Sequence, residues 1–429
     1  MGISGKAIFE SLKNAGAEIF LWDDKLNDQA YADYKLEPTN AKWQEVEALV
    51  ISPGIQHQGA NAHPLLANLS KTCKVFCDVE LFYQCLDKTN KTIAITGTNG
   101  KSTVTALINH ILQECDVKSQ MCGNIGVAVS SIDIHSGETY VIELSSYQLD
   151  KLINAKFNIA VLTNITSDHL EMHGNMENYI AAKTKVFNGQ VRGDYGIICI
   201  ENEICNSLFN KLNRENIIPV SRSSKLNGGI SFVGGNIYDN YFSHESIKFS
   251  QPEILNGNHN SENIICAIAA CLARGLNLKD IIEAISSFKP LEHRLEYAGT
   301  HQGVKYVNDS KGTNFDSTRH ALTAFSNIHW IAGGQAKEGG IDGFAAYQKY
   351  IKHVYLIGSS QDDFANQLGT SIAYTKCGNL ENAFNLAARN AMAGDVVLLS
   401  PAAASTDQWK NFEERGKAFK EHLLKLRVN

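Results

Sequence analysis

The sequence predicts an α/β protein of several domains, built on mostly parallel, doubly wound sheets. Short apolar runs alternate with helical patterns along most of the chain, as is typical of βαβ units. One run, at residues 93–95, leads through a glycine-rich turn directly into an apolar helical pattern. Several other runs end in small polar or acidic residues, and ligands bind at such carboxyl ends of parallel strands. A length of 429 residues allows roughly two to four domains that each bury a core.

Composition excludes several function classes. The formal net charge is −6, from 39 basic and 45 acidic side chains, which argues against nucleic acid or a membrane surface as the main partner. We find no apolar run long enough for a transmembrane helix and no signal-peptide pattern. The ten cysteines include no C-x-x-C pair. We therefore expect a cytoplasmic protein with reduced, buried thiols.

The first α/β unit is predicted over residues 1–79. A glycine turn opens an amphipathic helix that runs to Asn14, and residues 18–23 read as a strand that ends in an acid. This is the second half of a nucleotide-type βαβ unit. A strand followed by a sharp turn is predicted over 48–55, and another strand is predicted at 75–78. We expect the first strand of this Rossmann-like unit to be missing from the chain, since the sequence opens inside the turn.

The central stretch, residues 95–103, combines a strand, a phosphate-cradling turn and a helix. Its glycines allow a tight turn and close backbone approach to a polyphosphate. Lys101 supplies a charge for outer phosphates, and Ser102 or Thr103 supplies a hydroxyl for Mg²⁺. Ile95 stands where the general G-x-x-x-x-G-K-[ST] pattern has its first glycine. The stretch by itself predicts nucleotide binding.

Alternating strands and helices continue to about residue 290, where we place a domain boundary. Strands are predicted at 141–146, 159–165 and 195–200, with an apolar helix at 261–272. Glu143, Asp168 and His169 lie at or just beyond predicted strand ends. His169 and His173 have i, i+4 spacing, but Leu170 stands where a zinc protease has Glu, so a zinc site is not favoured.

A further α/β domain is predicted over residues 291–429. Its strands are predicted at 304–309, 328–334, 354–358 and 396–401, and its last helix at 411–424. Two strand ends carry polar clusters, at 308–314 and 400–405. Together with the phosphate loop, carboxylates and hydroxyls at these ends predict Mg²⁺–ATP chemistry, because Mg²⁺ takes few protein ligands and shares phosphate oxygens.

The motifs together resemble the Mur ligase family, whose ATP loop lacks the first Walker glycine. The similarity covers essentially the whole chain. The matching segments are 95–103, 123–126, 143–149, 164–170, 257–260, 293–294, 308–314 and 399–409. The last of these resembles the D-glutamate-adding members in particular.

The resemblance implies three domains: a UDP-substrate-binding domain (1–79), a central P-loop-type ATPase domain (80–290) and a C-terminal Rossmann-like domain that binds the amino acid (291–429). It also implies that ATP phosphorylates the alanine carboxylate of UDP-N-acetylmuramoyl-L-alanine, and that the amine of D-glutamate then attacks the acyl phosphate. Phosphorylation supplies the leaving group that a carboxylate lacks. We expect the protein to be a monomer that uses ATP and Mg²⁺.

The resemblance also assigns site residues. The proposed catalytic group is Lys101, Glu143, His169 and Lys183, and the proposed metal group is Ser102, Glu143, His169 and Lys183. ATP contacts are carried over to Gly97, Thr98, Asn99, Gly100, Lys101, Ser102, Thr103, Asn263, Arg294, Asp309 and Lys311. Substrate contacts are carried over to Ile3, Ser4, Asn124, Ser145, Thr313, Lys337, Ser405 and Phe412. Asp24 and Lys25 stand where other members have a Thr-Arg pair near the uridine diphosphate.

Lys183 matches the lysine that the family carbamylates with CO₂, which gives an anion suited to Mg²⁺. Without the resemblance, the sequence favours Lys183 as a solvated lysine on a helix. Lys185 would then be an equal candidate for the modified lysine.

Two other functions stay open. One is another Mur-type or folylpolyglutamate-synthetase-like amide ligase, although the latter usually has glycine after the loop lysine. The other is a nucleotide-binding switch or transport ATPase, which would not need the clusters at 309–314 and 400–409.

Overall fold

The computed structural model describes residues 3–23, 29–52, 55, 62–124, 127–168, 170–289, 292–336 and 339–428. The chain forms two compact units, Met1–Phe288 and Lys289–Asn429. It is an α/β protein, as predicted. The finer domain boundaries at residues 79 and 290 stay a prediction.

The N-terminal part of the first unit has little sheet. The predicted first helix is present as α1 (Ile3–Asn14), and two short strands, β1 (Ala48–Val50) and β2 (Lys74–Phe76), pair in parallel with α2 (Pro64–Leu69) between them. The strand predicted at 18–23 is wrong, since within the described residues this segment pairs only through a single bridge from Leu21 to Lys35. A strand needs a neighbour along its length to complete its hydrogen bonds.

A sheet of nine strands forms the centre of the first unit. Its order is β11-β10-β9-β8-β7-β6-β3-β5-β4, and every pair from β4 to β9 is parallel. The strands are β3 (Lys91–Thr96), β4 (Ser119–Gly123), β5 (Thr139–Glu143), β6 (Ile159–Leu162), β7 (Tyr195–Cys199), β8 (Ile217–Ser221), β9 (Ile230–Val233), β10 (Asn236–Asp239) and β11 (Ser246–Lys248).

The strand order reverses at β3, because β4 and β5 lie on one side of it and β6 to β9 on the other. Such a switch point opens a crevice at the carboxyl ends of the strands. β3, β5 and β6 are almost completely buried. Their apolar centres are typical of parallel strands in a sheet that is covered on both faces. The glycine-rich loop therefore leaves the sheet at the switch point.

Helices cover the central sheet. They are α3 (Asp78–Cys85), α4 (Lys101–Glu114), α5 (Ser146–Asp150), α6 (Leu170–His173), α7 (Met176–Thr184), α8 (Glu203–Leu212), α9 (Asn258–Ala273) and α10 (Leu278–Ser286). From Ile264 to Cys271, α9 is fully buried, so it forms a core helix. The mostly parallel sheet is confirmed, but β9, β10 and β11 form antiparallel pairs at its edge.

The second unit has a sheet of six strands in the order β12-β13-β17-β14-β15-β16, in which only β12 is antiparallel to its neighbour. The strands are β12 (Glu296–His301), β13 (Val304–Asn308), β14 (Ile328–Gly333), β15 (Ile351–Ile357), β16 (Tyr374–Gly378) and β17 (Val396–Leu399). The helices are α11 (Phe315–Ala324), α12 (Gln361–Leu368), α13 (Leu380–Asn390) and α14 (Phe412–Val428).

In the second unit β17 lies between β13 and β14, and the polar clusters predicted at strand ends follow β13 and β17. The two clusters are therefore neighbours at one edge of the sheet. All ten cysteines are free thiols. No described helix has the length and apolar character needed to cross a bilayer.

Candidate active site

The loop between β3 and α4 depends on two glycines. Gly97 has φ of 151°, and a Cβ there would lie 1.9 Å from Thr163 Oγ1. Gly100 has φ of 83°, and a Cβ there would lie 2.2 Å from Asn263 Oδ1. The left-handed backbone and the close neighbours both require glycine at these positions.

The chain beyond β6 holds the loop in shape. Thr98 N donates to Asn164 O (2.9 Å), and Asn99 N donates to Asn164 Oδ1 (2.9 Å). Asn164 Nδ2 and Thr163 Oγ1 both donate to Asn99 O, over 3.0 and 2.6 Å. The loop is thus preorganised by side chains, which lowers the cost of ordering it around a phosphate.

We predict that Gly100→Ala weakens ATP binding at least about tenfold, since the added methyl would collide with Asn263 and the residue would carry the strain of a left-handed backbone. Gly137→Ala is the matched control, because Gly137 has φ of 77° and nothing within 4 Å of its Cβ position. Equilibrium binding of a fluorescent ATP analogue measures the effect. Equal losses in the two variants would contradict a specific role for the contact with Asn263.

Two lysines meet at one carbonyl of the loop. Lys101 Nζ donates to Gly97 O (3.0 Å) and to Thr98 O (2.7 Å), and Lys183 Nζ donates to Gly97 O (2.7 Å). Lys183 is 2% exposed. Burial, and then the neighbouring charge of Lys101, hold the pKa of Lys183 well below its ordinary value. The neutral amine is therefore easier to form here than on an exposed lysine.

The structure separates the two lysine candidates of α7 and the turn after it. Lys185 lies at the surface, where its Nζ forms an ion pair with Asp150 Oδ1 at 2.7 Å. The side chain of Lys183 instead passes over the ring of Tyr179, with Nζ 4.7 Å from the ring centroid. Tyr179 OH is 3.1 Å from Thr98 Oγ1. Lys183, but not Lys185, therefore belongs to the group of residues around the loop.

Glu143 ends β5 next to β3 and β4, and its side chain is buried. Asn124 donates to it twice, from N to Glu143 O (2.9 Å) and from Nδ2 to Glu143 Oε1 (3.0 Å). Ser145 Oγ accepts from Gln148 N in a capping box that starts α5. Asn124 and Glu143 are thus brought together, while Ser145 serves the helix start.

The donors around the loop fit Mg²⁺. They are oxygen ligands, namely the buried hydroxyl of Ser102 and the buried carboxylate of Glu143, and Mg²⁺ prefers oxygens and uses only one or two carboxylates beside substrate phosphates. Among the described residues no group of three or more His, Cys, Asp or Glu could hold a metal. His169, another predicted ligand, lies outside the described residues.

Asp309 is a buried acid of the second unit, at the end of β13. Its Oδ2 accepts from Ser400 Oγ (2.6 Å) and its Oδ1 from Leu295 N (3.2 Å). Burial raises its pKa to about 6, against opposing effects from these hydrogen bonds and from the charges of Arg294 and Arg415. The hydrogen bonds and the two arginine charges thus offset only part of the effect of burial on this carboxyl.

We predict that Asp309 makes stability fall between about pH 4 and pH 6. A carboxyl pKa that is higher in the folded than in the unfolded state favours folding only while the group is protonated, so this contribution is lost as pH rises. The rise from 3.8 to about 6 corresponds to about 3 kcal/mol at 1.36 kcal/mol per unit. Urea unfolding of Asp309→Asn should lack this fall, whereas the exposed control Asp363→Asn should keep it. An unchanged slope in Asp309→Asn would contradict the prediction.

The two polar clusters of the second unit are tied together. Ala402 N donates to Gly312 O (2.8 Å), and Ser310 Oγ donates to Phe412 O (2.8 Å). Lys311 Nζ lies 4.9 Å from the centroid of the Phe412 ring. The segments that carry Thr313, Ser405 and Phe412 therefore meet at one edge of the sheet.

Three further predicted positions have no described place in the structure. Lys337, Asp24 and Lys25 lie outside the described residues. Ile3 and Ser4 begin α1.

Arg415, a completely buried arginine on α14, was not predicted from the sequence. In the sequence it follows two acids and resembles an exposed helix position, so no signal marked it.

Family models match both units. The Mur ligase middle domain matches residues 95–271 and the Mur ligase, glutamate ligase domain matches residues 293–403. A relative from Rickettsia bellii (strain RML369-C), named UDP-N-acetylmuramoylalanine--D-glutamate ligase, is 40% identical over 97% of this chain and 94% of its own length. This chain belongs to the Mur ligase family. A Paramagnetospirillum magneticum relative of the same name is 38% identical over 98% of this chain and 94% of its own length.

Solved structures share the Mur ligase fold at low sequence identity. UDP-N-acetylmuramate-alanine ligase from Thermotoga maritima has a TM-score of 0.62 and 17% identity, and covers 99% of this chain and 97% of its own. A pseudomurein peptide ligase type C from Methanothermus fervidus has a TM-score of 0.62 and 15% identity, with 99% and 98% covered. These similarities concern the fold alone.

Proposed function

We propose that this Mur ligase is an enzyme that uses ATP to join D-glutamate to UDP-N-acetylmuramoyl-L-alanine through an acyl phosphate, a step of peptidoglycan precursor synthesis. The relatives that carry this enzyme name match nearly the full chain. The observation that carries the proposal is the meeting of Lys101 and Lys183 at Gly97 O, within electrostatic reach of Glu143. Two amines and an acid at a phosphate loop suit phosphoryl transfer to a carboxylate.

The reaction has two steps. An oxygen of the alanine carboxylate attacks the γ-phosphorus of ATP, and the bond to the leaving ADP oxygen breaks. The neutral amine of D-glutamate then attacks the acyl carbon, and the tetrahedral intermediate collapses with loss of phosphate. Both steps need alignment and charge neutralisation more than covalent help from the protein.

Residues of the first unit fit the phosphoryl-transfer step. Lys101 would release its two loop carbonyls and bind the transferring phosphate, where its charge offsets the charge that develops. Asn124, held against Glu143, would contact the activated carboxylate. Ser102, Glu143, His169 and a carbamylated Lys183 would hold Mg²⁺, which when bound neutralises phosphate charge. Asn263 would contact ATP from α9.

Carbamylation of Lys183 is supported by its environment. Only a neutral amine adds CO₂, and burial beside Lys101 favours the neutral form. The product carries a negative charge that Lys101 and Mg²⁺ would compensate. The modification thus turns a buried amine, costly when charged, into an anionic ligand.

Residues of the second unit fit the acceptor step. Thr313, Ser405, Phe412 and Lys337 would form the D-glutamate pocket, in which hydroxyls and a cation suit a dicarboxylate. Arg294, Asp309 and Lys311 would contact ATP. We also propose a UDP-binding domain that includes Ser4, a P-loop-type central domain, a Rossmann-like C-terminal domain, and a monomer that acts in the cytoplasm, where ATP is available.

ATP-dependent phosphate release tests the function. The purified protein is assayed with UDP-N-acetylmuramoyl-L-alanine and with D-glutamate, L-glutamate, L-lysine or a diamino acid in turn. We expect release only with the nucleotide substrate and D-glutamate together. Release without an amino acid would indicate a switch or transport ATPase, and preference for L-lysine or a diamino acid would indicate a different Mur-type ligase.

A further inference from the structure

Arg415 lies at the centre of the carboxyl edge of the second sheet. It sits in the first turns of α14 and is completely buried. Its Nε donates to Ser310 Oγ (3.0 Å), and its Nη2 donates to Ser310 O (2.8 Å) and to Ala403 O (3.1 Å). One guanidinium thus joins the loop after β13 to the run after β17.

The open side of the guanidinium faces a third strand end. Nη1 is buried and makes no hydrogen bond to the described part of the chain. A Cβ added at Gly334, which directly follows β14, would lie 3.1 Å from Nη1. Gly334 has φ of 139°, and in the sequence it precedes Lys337 by three positions. Arg415 therefore contacts or faces the chain just beyond β13, β17 and β14, which are three neighbouring strands of this sheet.

Ser310 carries the connection onwards to the proposed pocket. Its hydroxyl accepts from Arg415 Nε and donates to Phe412 O (2.8 Å), which closes a ring between the β13 loop and α14. Thr313 lies three residues beyond Ser310, and Ser405 lies two residues beyond Ala403. The bonds of Arg415 thus fix the spacing of the segments that carry Thr313, Ser405 and Phe412.

Burial of the charge of Arg415 destabilises the fold, so a purely structural role does not explain this residue. No described carboxylate forms an ion pair with it, although Asp309 and Asp407 act on it from a distance, and burial lowers its pKa to about 10. A buried cation without a paired anion destabilises a fold relative to an apolar side chain of similar size. Its hydrogen-bond partners are neutral, and its Nη1 has no partner among the described residues. Both observations point to a function in the neighbouring site.

We propose that Arg415, through Ser310 and Ala403, is a positioning residue that sets the geometry of the amino-acid pocket and adds a buried positive charge beneath it. This deepens the proposed function, on which it rests.

Steady-state kinetics of the full-length enzyme test the proposal with Arg415→Lys and Ser310→Ala. Lysine keeps the charge but cannot form the three bonds, and alanine removes the hydroxyl between Arg415 and Phe412. We expect the KM for the amino acid to rise about tenfold or more in each variant. The KM values for ATP and the UDP substrate, and kcat, should stay within about threefold. The double variant should show less than the product of the two effects. Arg389→Lys, at an exposed position of α13, is the control.

Equal rises in all three KM values would overturn the proposal, because they would indicate general loss of structure. Unchanged kinetics in Ser310→Ala would overturn it as well, even if Arg415→Lys fails to fold. The wild-type enzyme identifies the amino acid first, so failure of the proposed function is seen separately. If another amino acid is the substrate, its KM replaces that of D-glutamate in the same comparison.

Discussion

Replacing Lys101 with alanine is expected to lower kcat/KM by about 10³-fold or more. Lys101 is the cation of the phosphate loop, and its Nζ already lies within hydrogen-bond distance of two loop carbonyls. Removal of a preorganised charge that stabilises the transferring phosphoryl group costs about this much in other phosphoryl- and acyl-transfer sites. Initial rates of ADP formation at saturating and limiting ATP measure the loss.

The control for Lys101→Ala is Lys118→Ala, since Lys118 is an exposed lysine in the turn before β4 and should keep wild-type activity. Lys101→Arg retains a charge but not the compact ammonium group, and should recover only a small part of the rate. Activity of Lys101→Ala within tenfold of wild type would contradict the assignment of residues 95–103 as the ATP loop.

Replacing Lys183 with methionine is expected to lower kcat by about 10³-fold without loss of stability. Methionine fills a similar volume, and the buried amine, which is costly to charge, is removed. Wild-type activity should fall in CO₂-depleted buffer and return with bicarbonate, whereas the residual activity of the variant should not respond. Mass spectrometry under native conditions should detect an adduct of about 44 Da, the mass of CO₂, on the wild-type protein.

Lys185→Met is the matched control for Lys183→Met. It lies two residues away and loses an ion pair with Asp150 Oδ1 and a hydrogen bond to Asp150 O. A partly exposed ion pair of this kind is worth at most about 1 kcal/mol. We expect its activity to stay within twofold of wild type and its bicarbonate response to persist. A bicarbonate response retained by Lys183→Met, or lost by Lys185→Met, would contradict carbamylation at Lys183.

The strand and helix alternation could be predicted because the central strands are short, mostly apolar runs. Strands such as β3 and β14 are buried on both faces. Burial on both faces favours apolar residues along the strand, and these are visible in the sequence. The segment at 18–23 has similar composition but finds only the Leu21 bridge. Local composition reports the tendency to form a strand, whereas the presence of a partner strand is a property of the whole fold.

The site could be predicted only in part. The phosphate loop has a local signature, because its glycines, lysine and hydroxyls are adjacent in sequence. The choice between Lys183 and Lys185 could not be made from the residues alone, since it depends on which side of α7 faces Gly97. Arg415 and Ser310 are 105 positions apart, and no sequence pattern links them.

The measurement that tests the central claim most directly follows an oxygen atom. UDP-N-acetylmuramoyl-L-alanine labelled with ¹⁸O in the alanine carboxylate is turned over with ATP and D-glutamate, and the released phosphate is analysed by mass spectrometry. An acyl phosphate transfers one carboxylate oxygen to phosphate, so we predict one ¹⁸O in each phosphate released. Phosphate without ¹⁸O would contradict phosphorylation of the carboxylate, and with it the roles proposed for Lys101 and Lys183.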